Sequence, residues 1–157
     1  MRSARTFKEL VRFLSVFFVY SIGLTAIIAF FGVYAATTLG FTLREVEHGR
    51  VVFALEQVGE HLYNPIGSVH GGYAATLLDS AMGLAVHSML PAGTGYTTLE
   101  FKISFIRGMT EDTGPVRTEG KTLSVGRRAA TAEARITDAK GRLLAHATTT
   151  CLVFEIQ

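Results

Sequence analysis

A single helical segment, surrounded on both sides by strand-like sequence, constrains the fold of this chain more than any other feature. Residues 70–89, "HGGYAATLLDSAMGLAVHSM", contain no proline and are rich in Ala and Leu, and Pro91 and Gly93 follow at the point where a helix would end. Apolar residues lie on nearly every side of this helix, with Leu77 and Leu84 opposite the stripe that carries Asp79. Such a helix must be buried on most of its surface, which predicts one central helix covered by the remainder of the chain.

The flanking sequence supplies the strands that would cover this helix. Two runs precede it and four follow it, each alternating apolar and polar residues: 41–48, 50–57, 96–106, 116–125, 127–138 and 142–154. Turn signals at His48-Gly49, at Gly126 and at residues 139–141 leave only short connections between neighbouring runs. Hairpin-connected strands form antiparallel sheets. The sequence therefore predicts an α+β fold in which an antiparallel sheet of about six strands wraps a long central helix.

Charge and cysteine content exclude several functional classes. The chain has 157 residues and a net charge of +2, and its first twelve residues alone contribute +3, which leaves the remainder slightly acidic and without a nucleic-acid footprint. Cys151 is the only cysteine, so no internal disulfide can form, and its strand-like surroundings favour a buried hydrophobic role. No metal-ligand spacing and no phosphate-binding glycine loop occurs in the sequence, so neither a metal nor a cofactor is predicted.

The N-terminal forty residues differ in character from the rest. Residues 13–34 form an uncharged run of 22 residues, which as a helix would be about 33 Å long and could cross a hydrocarbon core. Three interpretations stay open: a membrane anchor, a hydrophobic helix packed on the domain or an oligomer interface, and a signal peptide cleaved before Ala36. We therefore divide the chain into residues 1–40, a hydrophobic helix or anchor, and residues 41–157, the strand-rich domain.

The chemistry of the second part centres on Asp79, the only formal charge between residues 61 and 99. A carboxylate in apolar surroundings costs free energy unless it is paired, hydrogen-bonded or held partly neutral, so Asp79 is either a structural acid in a buried network or a functional group. Gly71 and Gly72 at the helix start offer backbone N–H groups to a carbonyl oxygen that becomes negative. Asp79 lies about 12 Å further along the helix axis, too far to act on the same carbonyl within one subunit. Two such helices packed antiparallel in a dimer would bring the groups together, and Asn64 upstream offers an amide to hold a water or a substrate group.

The segment "NPIGSVHGGYAATLLDSAMG", residues 64–83, resembles the signature of the hotdog-fold acyl-CoA thioesterases, in particular their PaaI-like (phenylacetate-pathway) branch. That signature contains an Asn, a Gly three residues later, His-Gly-Gly, and an acid seven residues after the second Gly. Here these positions are occupied, without a gap, by Asn64, Gly67, His70-Gly71-Gly72 and Asp79. The likeness continues through "LPAGTGYTTLEFKISFIRGMT" and "GRRAATAEARITDAKGRLLAHATTTCLVF" and covers about residues 40–155.

The resemblance implies a dimer with two active sites at its interface, and whether this dimer assembles further into a tetramer stays open. It implies hydrolysis of an acyl- or aryl-CoA thioester in the cytoplasm, with Asp79 as general base or nucleophile. The Gly71 N–H would polarise the carbonyl, and His70 and Asn64 of the opposite subunit would orient the water and the thioester. It assigns Gly72 to the substrate-binding turn and Thr98 to an assisting hydroxyl.

Residue type suggests further contacts to the substrate. Arg127 and Arg128, with Arg107 behind them, are candidates to bind the CoA phosphates, although a solvated hairpin tip is the simpler interpretation. An apolar acyl pocket could be lined by Met82, Val86 and Phe105, whereas His87 is assigned to structure.

Two other functions stay open, binding of thioesters without turnover and a membrane-attached dimerisation scaffold.

The resemblance also conflicts with one of the N-terminal interpretations. An anchor through residues 13–34 with Met1 inside the cell would place the domain away from cytoplasmic CoA.

Overall fold

The computed structural model describes residues 31–156 together with Ser15, Ala26 and Ala29. Six strands and one long helix make up the domain, in the following order: β1 (Thr42–Glu47), β2 (Arg50–Leu55), α1 (Gly71–His87), β3 (Thr94–Phe105), β4 (Val116–Val125), β5 (Ala129–Asp138) and β6 (Leu143–Glu155). Single 3₁₀ turns at Glu60–Leu62 and Glu111–Thr113 interrupt the two longer connections. The expected strands and helix are confirmed, each to within a few residues.

The strands form one antiparallel sheet in the order β1-β2-β4-β5-β6-β3. Among the described residues β1 and β3 are its two edges. Strand β3 follows α1 in the chain. It pairs with the last strand, β6, and so forms one edge of the sheet. This arrangement, in which one long helix contacts β2, β3, β4, β5 and β6, is the hotdog fold that the sequence resemblance implied.

The helix lies closest to the sheet at Gly120 of β4. A Cβ atom at this position would stand 2.2 Å from the carbonyl oxygen of Ala81 and 2.8 Å from the nitrogen of Met82, both backbone atoms of α1. Only a glycine allows the two backbones to approach this closely. Around this contact Leu77, Leu78 and Met82 are fully buried and form the centre of the hydrophobic core.

A helical segment precedes β1 and packs on the same core. Residues 31–39 are helical, of π-type over Ala35–Leu39, and the segment ends at Gly40, whose φ of 75° is the left-handed conformation that glycine favours at a helix end. Ala35 is fully buried, and the Tyr73 hydroxyl of α1 donates a 2.6 Å hydrogen bond to the carbonyl of Leu39. These described residues therefore belong to the packed structure.

Most of the hydrophobic run at residues 13–34 lies outside the described residues, and its three interpretations and the boundary at residue 40 stay predictions. Within the part of the chain that the structure describes, we find no helix with both the length and the apolar character that crossing a bilayer requires.

Candidate active site

Asp79 lies at the middle of α1 with its side chain directed at β3. The hydroxyl of Thr98 donates a 3.0 Å hydrogen bond to Oδ1 of the carboxylate, and both residues are half-buried. A hydrogen bond to one carboxylate oxygen fixes the side chain and leaves Oδ2 available to another partner. Thr98, expected from the resemblance to supply an assisting hydroxyl, thus contacts Asp79 directly, and its role in a reaction stays a prediction.

A β-bulge in β3 directs Thr98 towards the helix. The register of β3 against β6 shifts between Thr98 and Glu100, and the Thr149 hydroxyl of β6 donates a 2.7 Å hydrogen bond to the Glu100 carbonyl beside this shift. Opposite Thr98 stands Cys151, fully buried, whose thiol has its pKa raised mainly by burial and in smaller part by the charge of Asp79. A thiol with a raised pKa is a poor nucleophile, which supports the hydrophobic role expected for Cys151.

Asp79 and Thr98 open into a groove of about 580 Å³ between α1, β3 and the end of β6. Its other lining residues are mostly apolar: Phe31, Leu84, His87, Gly95, Tyr96, Thr97, Phe154 and Ile156. Phe154 and Ile156 keep 43% and 60% of their surface exposed, so the groove has an apolar wall that is open to solvent. This size and character suit a small organic group placed next to the carboxylate.

Tyr96 crosses the helix in this groove at Gly83, one turn beyond Asp79. A Cβ atom on Gly83 would lie 2.5 Å from the Tyr96 hydroxyl oxygen, and the ring of His87 meets the Tyr96 ring edge-on at a centroid distance of 5.7 Å. Burial, and secondly the nearby charge of Asp79, raise the pKa of Tyr96 to about 12, and burial lowers the pKa of His87. Both side chains are therefore uncharged near neutral pH.

The N-terminal end of α1 is built mainly from backbone groups. His70 occupies the N-cap position, where its Nδ1 accepts a 2.9 Å hydrogen bond from the N–H of Gly72. The Gly72 N–H is therefore occupied, whereas the Gly71 N–H has no hydrogen-bond partner among the described residues. Of the two glycines, Gly71 thus presents the free donor at the positive end of the helix.

Asn64 organises the loop that leads to this helix end. Its Oδ1 accepts hydrogen bonds from the backbone N–H groups of Ile66 and Ser68, at 3.1 and 3.3 Å, and its Nδ2 donates to the Ser68 hydroxyl at 3.3 Å. A second groove, of about 300 Å³, lies between this loop and β3 and is lined by Asn64, Gly71, Phe105 and Arg107 among others. One amide hydrogen of Asn64 is not used by these contacts.

Arg127 and Arg128 are exposed in the turn between β4 and β5. The carbonyl of Arg128 accepts a 3.0 Å hydrogen bond from the N–H of Val153, and Val153 pairs in turn with Tyr96 of β3. Two strand spacings, about 10 Å, therefore separate the Arg128 backbone from the Asp79 groove. Both arginines lie at the end of the sheet that carries this groove.

The structure therefore brings Asp79 and Thr98 together at one groove and Gly71, Asn64 and Arg107 together at another. It does not place Met82 and Val86 in the Asp79 groove, because both are fully buried in the core, and Phe105 lies in the groove at Gly71. Sequence reasoning missed Tyr96 and assigned His87 to structure alone. The spacing of Asp79, Gly83 and His87, at i, i+4 and i+8 on one helix, was the signal that could have placed His87 near Asp79.

Comparison with known proteins identifies the family. A family model described as the thioesterase superfamily matches residues 66–145, about half of the chain, and this range includes α1 and β3 to β5. The chain therefore belongs to the thioesterase superfamily.

Solved structures agree with this assignment. A thioesterase family protein from Silicibacter pomeroyi has 26% identity and a TM-score of 0.74, over 87% of this chain and 98% of its own. An inferred thioesterase of Ralstonia eutropha JMP134, described as phenylacetic acid degradation-related, has 28% identity and a TM-score of 0.66, over 75% of this chain and 88% of its own. A Streptococcus mutans protein solved with bound acetyl-CoA has 26% identity and a TM-score of 0.67, over 74% and 90% of the two chains.

A curated protein matches this chain over a shorter segment. An inferred esterase of Halobacterium salinarum is 49% identical over 43 residues, which is 26% of this chain and 28% of that protein. This chain thus aligns with little more than a quarter of the length of that relative.

Proposed function

We propose that this protein hydrolyses acyl- or aryl-CoA thioesters to the free acid and CoA. The observation that carries the proposal is the Asp79 carboxylate, fixed by Thr98 at 3.0 Å and open to a largely apolar groove. Membership of the thioesterase superfamily supports the reaction class, and the acetyl-CoA complex of the Streptococcus mutans protein supports CoA as the thiol.

In the proposed reaction Asp79 acts on the thioester carbonyl either through a water molecule or directly. As a general base it takes a proton from water, and the hydroxide oxygen attacks the carbonyl carbon. As a nucleophile it forms an acyl anhydride that water then hydrolyses. On either route the carbonyl oxygen becomes negative next to the Gly71 N–H, and collapse of the intermediate breaks the C–S bond and releases CoA thiolate, which takes up a proton.

The proposed active site combines residues of two subunits. Gly71 and Asp79 are eight residues apart on one straight helix, about 12 Å along its axis, and the two line different grooves. A second copy related by a twofold axis would bring its Gly71, His70 and Asn64 to this Asp79, and would do the reverse at the second site. The β3 edge suits this contact, since it carries the exposed side chains of Leu99, Phe101 and Phe105. Further assembly into a tetramer stays a prediction.

The CoA phosphates would bind basic side chains at the rim of this composite site. Arg127 and Arg128 stand at the Asp79 end, while Arg107 stands beside Gly71, where its guanidinium donates a 2.7 Å hydrogen bond to the carbonyl of Leu143. Arg107 is thereby partly committed to the protein backbone, so the two turn arginines are the better candidates for phosphate contact.

The experiment is thiol release from a panel of acyl- and aryl-CoA thioesters by wild type and by Asp79→Asn. Asparagine keeps an oxygen that can accept the Thr98 hydrogen bond but removes the base and nucleophile, so we expect at least about a thousandfold loss of kcat with little change in substrate affinity. Single turnover in H₂¹⁸O tests for the anhydride route, because ¹⁸O in the Asp79 carboxylate identifies an anhydride that water opens at the Asp79 carbonyl. Incorporation into the product acid alone is expected both for the general-base route and for an anhydride opened at the acyl carbonyl.

Other results would overturn the proposal. Thiol release that Asp79→Asn retains would remove Asp79 from the mechanism. If wild type binds the thioesters tightly but releases no thiol, the protein is a binding module. If it neither binds nor hydrolyses them, a dimerisation scaffold is the better description. A control variant, Thr131→Val on the far face of the sheet, should leave thiol release unchanged.

A further inference from the structure

The groove at Asp79 contains polar groups that the proposed reaction does not use. The Tyr96 hydroxyl and the His87 imidazole both line it, and neither has a side-chain hydrogen-bond partner among the described residues. Their neighbours in the groove are Phe31, Leu84 and the two apolar residues at the end of β6. Neither group is among the buried side-chain atoms without a partner, and the groove is open to solvent, so both can exchange water for a polar group of a ligand.

The position of the Tyr96 ring is set by contacts with two residues of α1. The hydroxyl end of the ring packs on Gly83, where even a methyl group would collide with the phenol, and the His87 ring makes an edge contact with the Tyr96 ring. A phenylalanine would make the same ring contacts, so packing alone does not require the hydroxyl. The hydroxyl lies against Gly83, which stands about 6 Å along the helix axis from Asp79.

We propose that Tyr96 is a specificity-determining residue whose hydroxyl hydrogen-bonds an oxygen on the acyl group, several bonds beyond the thioester carbonyl. This inference rests on the proposed thioester hydrolysis and names the class of acyl group: one that carries a hydroxyl or carbonyl oxygen in an otherwise apolar chain or ring. His87 positions the Tyr96 ring, and as a neutral imidazole it supplies a second donor and acceptor for the same oxygen.

Differences in hydrogen bonding give stronger selectivity than differences in apolar surface. A site that is built to bind a substrate hydroxyl discriminates strongly against the analogue that lacks it, because the polar group of the site is then left unpaired. By contrast, one methylene in an apolar groove changes kcat/KM only modestly. Tyr96 would therefore dominate the choice of acyl group.

The test compares hexanoyl-CoA with isomers that carry one hydroxyl on carbon 3, 4, 5 or 6. We expect wild type to favour one isomer over hexanoyl-CoA by about tenfold or more in kcat/KM. In Tyr96→Phe this preference should fall about tenfold, because the favoured isomer loses its hydrogen bond and hexanoyl-CoA no longer leaves a phenol hydroxyl unpaired, so that kcat/KM for hexanoyl-CoA rises rather than falls. Tyr34→Phe removes a hydroxyl from an exposed tyrosine outside the groove and should preserve the preference.

The possible results separate this inference from the proposed function. If wild type hydrolyses hexanoyl-CoA through Asp79 but prefers no isomer, or if Tyr96→Phe lowers all rates equally, only the role of Tyr96 is overturned. If no thioester is hydrolysed, the same comparison is made by the binding of non-hydrolysable ketone analogues. A hydroxyl preference in binding that Tyr96→Phe abolishes would then support the inference without the hydrolysis, and equal binding of all analogues would overturn it.

Discussion

The two ends of helix α1 carry the two halves of the proposed site, and they are built in different ways. At the N-terminal end the functional group is a backbone N–H, held by local contacts: the His70 cap on Gly72 and the Asn64 hydrogen bonds within residues 64–68. In the middle and at the C-terminal end the functional groups are side chains, placed by contacts between α1 and β3: Thr98 with Asp79 and Tyr96 with Gly83.

This difference restricts specificity for the acyl group to one of the two halves. A backbone N–H at a helix end binds any carbonyl oxygen and carries no information about the rest of the substrate. The side-chain groove holds both the Asp79 carboxylate, the proposed base or nucleophile, and the groups that would contact the acyl part. Variation among related chains at the other groove residues can thus change the substrate while Asp79 and the local N-terminal motif keep the proposed chemistry.

Removing the Gly71 N–H tests the N-terminal half of the proposed site and gives the largest expected effect among the predictions below. Gly71→Pro deletes the donor but suits the helix, because proline is favoured at the first helical position and His70 already has the extended conformation, φ −58° and ψ 133°, that precedes proline. We expect kcat to fall about 100- to 1000-fold with unchanged helix content, measured by thiol release and circular dichroism. Gly71→Ala, which keeps the N–H, should retain most of the activity. Equal losses in the two variants would contradict the role of the donor.

Combining two inactive variants in one dimer tests whether Gly71 and Asp79 of different subunits form one site. In a dimer of one Gly71→Pro subunit and one Asp79→Asn subunit, one site contains both changes and the other contains neither. Co-expression should therefore restore activity to about a quarter of wild type, since half of the dimers are mixed and each has one intact site. If activity stays at the level of the single variants, Gly71 and Asp79 do not meet across a twofold interface.

Helix α1 carries both halves of the proposed site, and its packing on the sheet depends on Gly120 of β4, which lies against the middle of the helix. In Gly120→Ala the new methyl group would stand 2.2 Å from the Ala81 carbonyl oxygen, so the helix must move away from the sheet. We expect a loss of about 3 kcal/mol in the free energy of unfolding, measured by urea denaturation. Gly108→Ala is the matched control, because its nearest neighbour would be the Ser68 Cβ at an ordinary 3.7 Å. Similar losses in both variants would show that the close contact at Gly120 is not specific.

The sequence predicted local features of the molecule better than contacts between residues that are far apart in the chain. Hydrophobic alternation and turn residues predicted all six strands. The lone charge in an apolar helix drew attention to Asp79, whose catalytic role stays a prediction. The pairing of β3 with β6 and the bulge at Thr98–Glu100 depend on residues about 50 positions apart, for which no local signal exists. The contact of Tyr96 with Gly83 follows from that register, which is why the acyl groove was assigned to the buried Met82 and Val86 instead.

Gly83→Ala tests the contact of Tyr96 with α1 in the groove at Asp79, and its expected effect on stability is smaller. Alanine in a helix interior gains up to about 1 kcal/mol over glycine, whereas the clash with the Tyr96 hydroxyl at 2.5 Å opposes this gain. We expect the free energy of unfolding to change by less than about 1 kcal/mol, because the tyrosine side chain can turn aside. The preference for hydroxylated acyl groups should fall, as it should in Tyr96→Phe. An unchanged preference in Gly83→Ala would mean that the position of the Tyr96 ring does not matter.

His70 gives the smallest expected effect and tests whether the N-terminal half is only structural. Its Nδ1 caps the helix through Gly72, and loss of an N-cap costs about 1 kcal/mol, so His70→Ala should lower the free energy of unfolding by that amount. Asparagine is a preferred N-cap residue, so His70→Asn should restore the stability while still lacking an imidazole. If His70 also orients the water or the thioester, kcat will be low in both variants, although only His70→Ala is destabilised. If His70→Asn recovers kcat together with stability, His70 acts through the helix cap, and the Gly71 N–H carries the chemistry of this end alone.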